Sequence, residues 1–492
     1  MKKLFLFAAL IFAANLSPAQ WQPDVRLTND PANSHTSNSN ARLIAANGDT
    51  IHVVWYDERD GNPEIYYKRS TDGGISWGAD TRLTNINCDK YDPTIVVSGS
   101  IVHIAWTDSR NGSTNGEIYY KRSEDGGSTW GADTRLTNAP LSSESPSMAI
   151  SGPVLHLVWY DWRNDPMGNG YSDIYYKCST DGGLTWGPDI RLTSDPHNFY
   201  SGFPCVAVSG SVVHVAWEDD RNGNYDVYYK NSTDGGLTWG AETQLTNDPA
   251  GQSDPCLSVS GSVVHVVWHD NRYSYNEYEI FYKRSTDGGI TWGTDTRLTN
   301  DPNDSGYPTI ASSGSYVHVV WEDNRDGNYE IYYKQSIDAG LSWGADTRLT
   351  NASGDSQMAF LALSDSVVHV AWNDKRDGNW EIYYKRNPTG NMPVGIGNDL
   401  IANSGQQVSI YPNPASNIIH INFNNYSNLA TGQADEKTIL TIRNILGEEL
   451  LSKQIQNDIT VIDVSGLQKG LYFAEIKTGN KQTVSTKLII QK

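Results

Sequence analysis

"STDGGISWGADTRLTN" occupies residues 70–85, and close variants begin at 123, 179, 232, 285 and 336. The common core reads Ser70-x-Asp72-x-Gly74-x-Ser76-Trp77. A short acidic side chain can accept backbone N–H groups of its own turn, and glycine allows positive φ, so the pattern predicts a tight turn. The sixth copy has Ala339 where the others have glycine.

Working outward, each copy is preceded by the same material. "VHVVW" or a near variant ends at Trp55, Trp106, Trp159, Trp217, Trp268, Trp321 and Trp372, about 53 residues apart on average. Asp-x-Arg follows each time, then a Gly/Asn turn, then "EIYYK" or a variant ending at Lys68, Lys121, Lys177, Lys230, Lys283, Lys334 and Lys385. These runs are β-branched and aromatic, bounded by Gly, Asn and Asp, and read as strands. In order, each repeat offers a small-residue strand ("TIVVSGS"), then "VHVVWYD", "EIYYKRS" and "WGADTRLTN". Four short antiparallel strands per repeat is the pattern of a propeller blade.

The seventh repeat runs into "RNPTGNMP" without a fourth strand, while "WQPDVRLTND" (21–30) stands at the start without a repeat. The expected fold is therefore all-β: a seven-bladed β-propeller over 20–387, its last blade completed by residues 21–29. That leaves no open sheet edge. A Gly/Asn-rich linker (388–406) and a small C-terminal β-sandwich (407–492) follow.

The six turns resemble the Asp-box, or BNR, repeat of sialidases and other secreted propellers. The resemblance implies a propeller and leaves the activity open, because such turns occur on proteins with unrelated functions. The last 85 or so residues resemble the type A C-terminal sorting domain of the type IX secretion system of Bacteroidetes. The motifs that carry this are Tyr411-Pro412-Asn413-Pro414, "RNILGEE" and Gly470-Leu471-Tyr472 before a Lys-rich end. The resemblance implies the secretion machinery as partner and a destination outside the cell. The N-terminus agrees: Lys2 and Lys3, then "LFLFAALIFAANL" and "SPA", read as a signal peptide over 1–19, with no membrane span expected in the mature chain.

Net charge is -20, which argues against nucleic acid or an anionic membrane as partner. Four cysteines exclude a disulfide scaffold. Cys205 and Cys256 occupy equivalent places in neighbouring repeats, where radial spacing is expected to keep them too far apart to bridge.

On this topology the Asp boxes share one face. The other carries the loops between repeats, with Lys90, Tyr91, Asp92, Glu144, His197, Phe199, Tyr200, Asp254 and Tyr307. Variable loops on a rigid frame are where ligands are expected, and aromatics beside carboxylates suit sugars or peptides. Asp92, His197, Tyr200 and Tyr307 are the loop candidates for ligand binding.

The same face carries Arg59, Arg110, Arg163, Arg221, Arg272, Arg325 and Arg376. A guanidinium cluster could clamp a substrate carboxylate. Sevenfold repetition instead favours a local pair in each hairpin, such as Arg59 with Asp57 and Glu64. Those arginines also fill the acidic turns against calcium, and the recurrent strand histidines (His52 to His369) read as packed residues, so no metal or cofactor is expected.

Two functions follow: a glycan- or polymer-binding module, or a sialidase-type glycoside hydrolase. Against the second, no Arg-Ile-Pro motif precedes the first blade. Seven blades are counted where sialidases of this type have six, and no pair of catalytic carboxyls can be assigned.

Overall fold

The structure is a computed structural model. It describes residues 21–37, 42–112, 115–165, 167–193, 199–274 and 277–390. In the C-terminal part it describes 407–411, 418–424, 438–444, 448–455, 459–468, 470–478 and 482–490. The expected signal peptide (1–19), His197, the expected linker beyond Gly390, and residues 412–414 and 445–447 of the C-terminal motifs lie outside these. The chain divides into two compact units, Met1–Met392 and Pro393–Lys492. No helix occurs among the described residues, and none is long and apolar enough to cross a membrane.

In the first unit the described strands form seven antiparallel sheets. The second is typical: Lys90–Ser98 innermost, then Ile101–Asp108, Glu117–Ser123 and the outermost Thr134–Arg135. The innermost strand of the first sheet is split into Ser34–His35 and Ile44–Asn47, both paired with Thr50–Asp57. Residues from all seven innermost strands, from Ile44 to Leu363, line one tunnel of about 270 Å³. This arrangement is consistent with a β-propeller.

The outermost strands are shorter than expected, at two residues each. Asp80 is the reason in the first sheet. Its carboxylate turns inward to Arg59 and Lys68, both at 2.8 Å, so the chain before Thr81 leaves the ladder except for one Gly78 N–H to Arg69 carbonyl bond.

The N-terminal strand is where the sequence predicts it. Val25–Arg26 pairs antiparallel with Glu381–Asn387, Val25 opposite Tyr384 and Arg26 opposite Tyr383. The side chains repeat the pattern of the other sheets. Asp24 receives Arg376 and Lys385 at 2.8 Å each, as Asp80 receives Arg59 and Lys68. Arg26 binds Glu381 at 2.7 Å, as Arg82 binds Glu64 at 2.9 Å.

Neighbouring sheets are joined by the Asp boxes. Inside each box the acid organises the turn: Asp72 Oδ1 accepts Ser76 N–H at 2.8 Å and Ile75 N–H at 3.1 Å, and Ser70 Oγ accepts Gly74 N–H at 2.8 Å. The N–H and hydroxyl of Thr129 likewise hold the exposed Asp125 carboxyl down at about 2.

The tryptophan of each box packs not on its own sheet but on the preceding one. Trp130 meets Tyr67 edge-on at 5.0 Å, and Trp77 meets Tyr384 of the seventh sheet at 4.9 Å. Where the seventh sheet lacks a box, Trp21 takes the place of its tryptophan and meets Tyr333 at 5.0 Å. The third-strand lysines also reach back: Lys121 bonds the carbonyl of Leu83 in the sheet before, and Lys68 that of Leu27 in the N-terminal segment.

The core is the same in every sheet. Seven tryptophans on the second strands, Trp55 to Trp372, are fully buried. The strand histidines bond the neighbouring tyrosine, as His52 Nδ1 with Tyr67 Oη at 2.6 Å, and burial holds them neutral, with His52 near 4. Cys205 and Cys256 are free thiols, unbridged as expected, but not because they are far apart: their innermost strands belong to neighbouring sheets and the two sulfurs lie 3.9 Å from each other.

The second unit holds two antiparallel sheets. One is built on Gln407–Tyr411, Ile418–Asn424 and Ile459–Asp463, the other on Thr438–Asn444, Glu449–Ile455, Gly470–Thr478 and Gln482–Ile490. They share a core that includes Ile419, Ile462, Leu440, Ile442 and Leu488.

The glycines of one box separate two costs. Gly126 and Gly127 both have positive φ, 68° and 83°. A Cβ on Gly126 comes no nearer than 3.6 Å to Arg69 Nη1, whereas on Gly127 it would lie 2.0 Å from Tyr67 Oη. Gly126→Ala is expected to cost about 1 kcal/mol, and Gly127→Ala about 2–4 kcal/mol because strain and overpacking combine. Urea unfolding of the two variants measures the difference.

Candidate functional site

Sevenfold regularity ends at two positions. One is the residue after each core tryptophan: Tyr56, Thr107, Tyr160, Glu218, His269, Glu322 and Asn373, all buried. The other is a bulge in the innermost strand, where the register with the second strand shifts. Bulges re-aim side chains and recur beside functional sites. Positive φ falls there on Asp92, Ser145, Phe203, Asp254, Tyr307 and Met358.

The two positions are bonded across neighbouring sheets. Glu218 Oε2 accepts Asp254 N–H at 3.0 Å, His269 Nδ1 accepts Tyr307 N–H at 3.4 Å, and Glu322 Oε2 accepts Met358 N–H at 3.0 Å. Thr107 and Asn373 do the same for Ser145 and Thr36. At Ser145, Asp254, Tyr307 and Met358 the bulge frees a backbone N–H, and a polar acceptor on the adjacent sheet satisfies it.

Along sheets four to seven these residues open into a cleft of about 720 Å³. Tyr200, Tyr225, Tyr278, Tyr307, Tyr329 and Phe203 supply its rings, and Glu218, Asp254, Asp304 and Glu322 its carboxyls. Among the described residues, no lysine or arginine lines it. Because Nδ1 of His269 accepts a backbone N–H, its proton resides on Nε2, which faces Asp254 at 3.5 Å. Burial pushes His269 down to about 4, so it is neutral.

The carboxyls move the other way. Burial raises Glu322 to about 7, against the bonds from Met358 N–H and Gln357. Burial likewise raises Asp254 and Glu218, and their mutual repulsion adds to the rise at Glu218.

Of the sequence candidates, Tyr200 and Tyr307 line this cleft. Asp92 does not; Ser37 and Ser145 hold its carboxylate at 2.9 and 3.0 Å. The seven arginines are held elsewhere. Arg59 forks onto Asp57 at 2.7 and 2.6 Å, donates to Asp80 at 2.8 Å and lies 4.5 Å over the Tyr66 ring. Arg110, Arg163, Arg221, Arg272, Arg325 and Arg376 repeat the fork on Asp108, Asp161, Asp219, Asp270, Asp323 and Asp374.

The expected pairing of Arg59 with Asp57 is present, and that with Glu64 is not. Glu64 is taken by Arg82, and the further acids on Arg59 are Asp80 and Asp30, each at 2.8 Å. Burial raises the Asp57 carboxyl, and the bonds from Arg59 and Trp55 outweigh it, leaving it below the usual range.

Glu218, His269 and Glu322 are not among the sequence candidates; their one signal is variation at the position that follows the repeated "VHVVW" motif.

Residues 169–388 match the BNR repeat-like domain, and residues 409–491 the secretion system C-terminal sorting domain. A sialidase of Paraclostridium sordellii is 26% identical over 327 residues, covering 57% of this chain and 77% of that protein. The xyloglucanase Xgh74A of Acetivibrio thermocellus is 25% identical over 190 residues, 35% of this chain and 22% of that protein. Among solved structures, the polysaccharide lyase Uly1 superposes with a TM-score of 0.53 at 10% identity, over 75% of this chain and 99% of that one, a likeness of fold. The chain thus carries BNR repeats and a sorting domain that directs export by the type IX system to the cell surface or beyond.

Glu322 gives a sign-specific test. Its folded pKa, about 7, lies above the unfolded value near 4.5, so its stabilising contribution is complete at low pH and is lost as pH rises from about 4.5 through 7. Glu322→Gln keeps an acceptor for Met358 N–H and removes the charge. The variant is expected to melt higher than the parent at pH 8, with the gain vanishing at pH 5, as followed by calorimetry.

Proposed function

We propose that the exported chain is a seven-bladed β-propeller that binds a glycan or extracellular polymer in the cleft between Tyr200 and Met358, with the C-terminal domain engaging the secretion machinery. The signal peptide over 1–19 and the linker to the sorting domain belong to the same proposal. The observation that carries it is the concentration of irregularity. A frame whose repeats are near-identical at their turns and core departs from that identity on one side, and there six aromatic rings and four carboxyls surround one opening. Rings stack on the apolar faces of pyranoses while polar groups fix their hydroxyls.

The arginines fit a structural part in this reading. A fork that already holds two or more acids has little left for a ligand carboxylate, and none of the seven lines the cleft. Tyr200 and Tyr307 remain the candidates from the loops.

A second reading, glycoside hydrolysis, is favoured by one observation: three buried carboxyls raised toward neutrality in one cleft, the environment that makes a carboxyl a proton donor. A panel of fluorogenic glycosides, sialosides included, separates the two readings; absence of turnover removes the second. For the first, the purified mature chain is expected to retain immobilised oligosaccharides. Tyr200→Ala and Tyr307→Ala should each weaken retention roughly threefold to tenfold by loss of a stacking face. Retention of no glycan in a broad array would contradict it.

A further inference from the structure

Resting on the reading of the cleft as a glycan site, we propose that the sugar it takes carries a free amine, as in glucosamine oligomers, and that its ammonium group is received by the Glu218–Asp254 pair. The ground for this is a departure from how the rest of the molecule treats buried acids. Asp57, Asp108, Asp161, Asp219, Asp270, Asp323 and Asp374 are fully buried, and each is forked by an arginine two residues on. Glu64, Glu117, Asp173, Glu279, Glu330 and Glu381 are buried, and each is met by an arginine of the outermost strand. Asp226, the counterpart in the fourth sheet, faces Gln244 in place of an arginine and is instead bonded by Asn222 and Gln244 Nε2 and by Thr246 Oγ1. Burying a carboxylate without a cation or a full set of donors is costly, and the repeats avoid it.

The cleft does not. Two of its acids have donors. Asp304 accepts Tyr278 N–H at 2.9 Å and Tyr329 Oη at 3.1 Å, and Glu322 accepts Met358 N–H at 3.0 Å and Gln357 Nε2 at 3.2 Å. The other two are left short. Glu218 is 5% exposed, and one of its oxygens has no donor among the described residues. Asp254 is 8% exposed, with its nearest donor, His269 Nε2, at 3.5 Å. His269 adds no charge, since its Nδ1 accepts a backbone N–H and burial keeps the ring neutral.

The missing partner is a compact cation with several donors. An ammonium group offers three N–H bonds, matching oxygens that face one opening. Among the described residues no three acids or histidines converge in a set that could hold a metal ion. The surrounding rings suit the same group twice over, attracting a cation to their faces and stacking on the sugar that carries it. A uronic acid or sialic acid would bring a further carboxylate to a wall of four, which disfavours it.

The test is calorimetric titration of the full mature chain near pH 6 with four probes: a glucosamine hexamer, its N-acetylated counterpart, a glucuronate oligomer and a lysine hexapeptide. The glucosamine hexamer is expected to bind roughly tenfold or more tightly than the acetylated form, and to weaken as salt is added. Glu218→Gln and Asp254→Asn, which keep size and an acceptor oxygen, should abolish that preference, bringing the two hexamers to the same affinity. Circular dichroism and melting show whether each variant is folded.

Equal binding of the two hexamers, or tighter binding of glucuronate, overturns the amine assignment while leaving a glycan site standing. Lysine peptide bound as tightly as glucosamine overturns the assignment to a sugar. Binding of no sugar at all overturns both this inference and the function on which it rests.

Discussion

The N-terminal unit depends on one short antiparallel contact, Val25–Arg26 against Tyr383 and Tyr384. It joins residues some 355 positions apart. Closing such a loop costs about 5 kcal/mol in chain entropy. Two ladder residues alone would not offset that. The segment succeeds because it brings a whole set of side chains: Trp21 for Tyr333, Asp24 for Arg376 and Lys385, Arg26 for Glu381, and the Leu27 carbonyl for Lys68. Four different contacts, made to three sheets, turn a two-residue strand into a clasp.

Because every sheet leans on its predecessor, that clasp matters to all of them. The Asp-box glycine lies under a tyrosine of the sheet before, and the box tryptophan packs edge-on to the same ring. The repeated text is thus the joint between sheets, which explains its uniformity. Acids and arginines of the repeat are spent on the same task. What is left for recognition is the pair of positions where one sheet satisfies the bulge of the next. Changing Thr107 for Glu218, or Asn373 for His269, keeps the acceptor and changes the chemistry presented at the opening. Specificity is therefore varied with little disturbance of the frame.

Much of this was legible in the sequence. The repeats, the order of strands and the destination of residues 21–30 follow from matching local patterns. Local pattern could not show that Asp80 and not Glu64 would complete Arg59, because the outermost strand bends inward to deliver it. Nor could it show that Trp77 would pack on Tyr384, or that Cys205 and Cys256 would come within 3.9 Å, since both depend on how sheets sit side by side. Tyr200 and Tyr307 are legible as aromatics in the variable loops between repeats. Glu218, His269 and Glu322 are masked by their setting, a strand that otherwise reads as buried scaffold.

Hydrogen exchange through residues 21–29 of the native chain tests the clasp most directly. The N–H groups of Gln22 and Leu27 donate to Arg386 and Ile382 at 2.9 and 2.8 Å. If the segment completes the last sheet, these amides exchange as slowly as those of Glu381–Asn387 and are released only on global unfolding. Rapid exchange there, while the strands around Trp55 and Trp217 stay protected, would contradict the account.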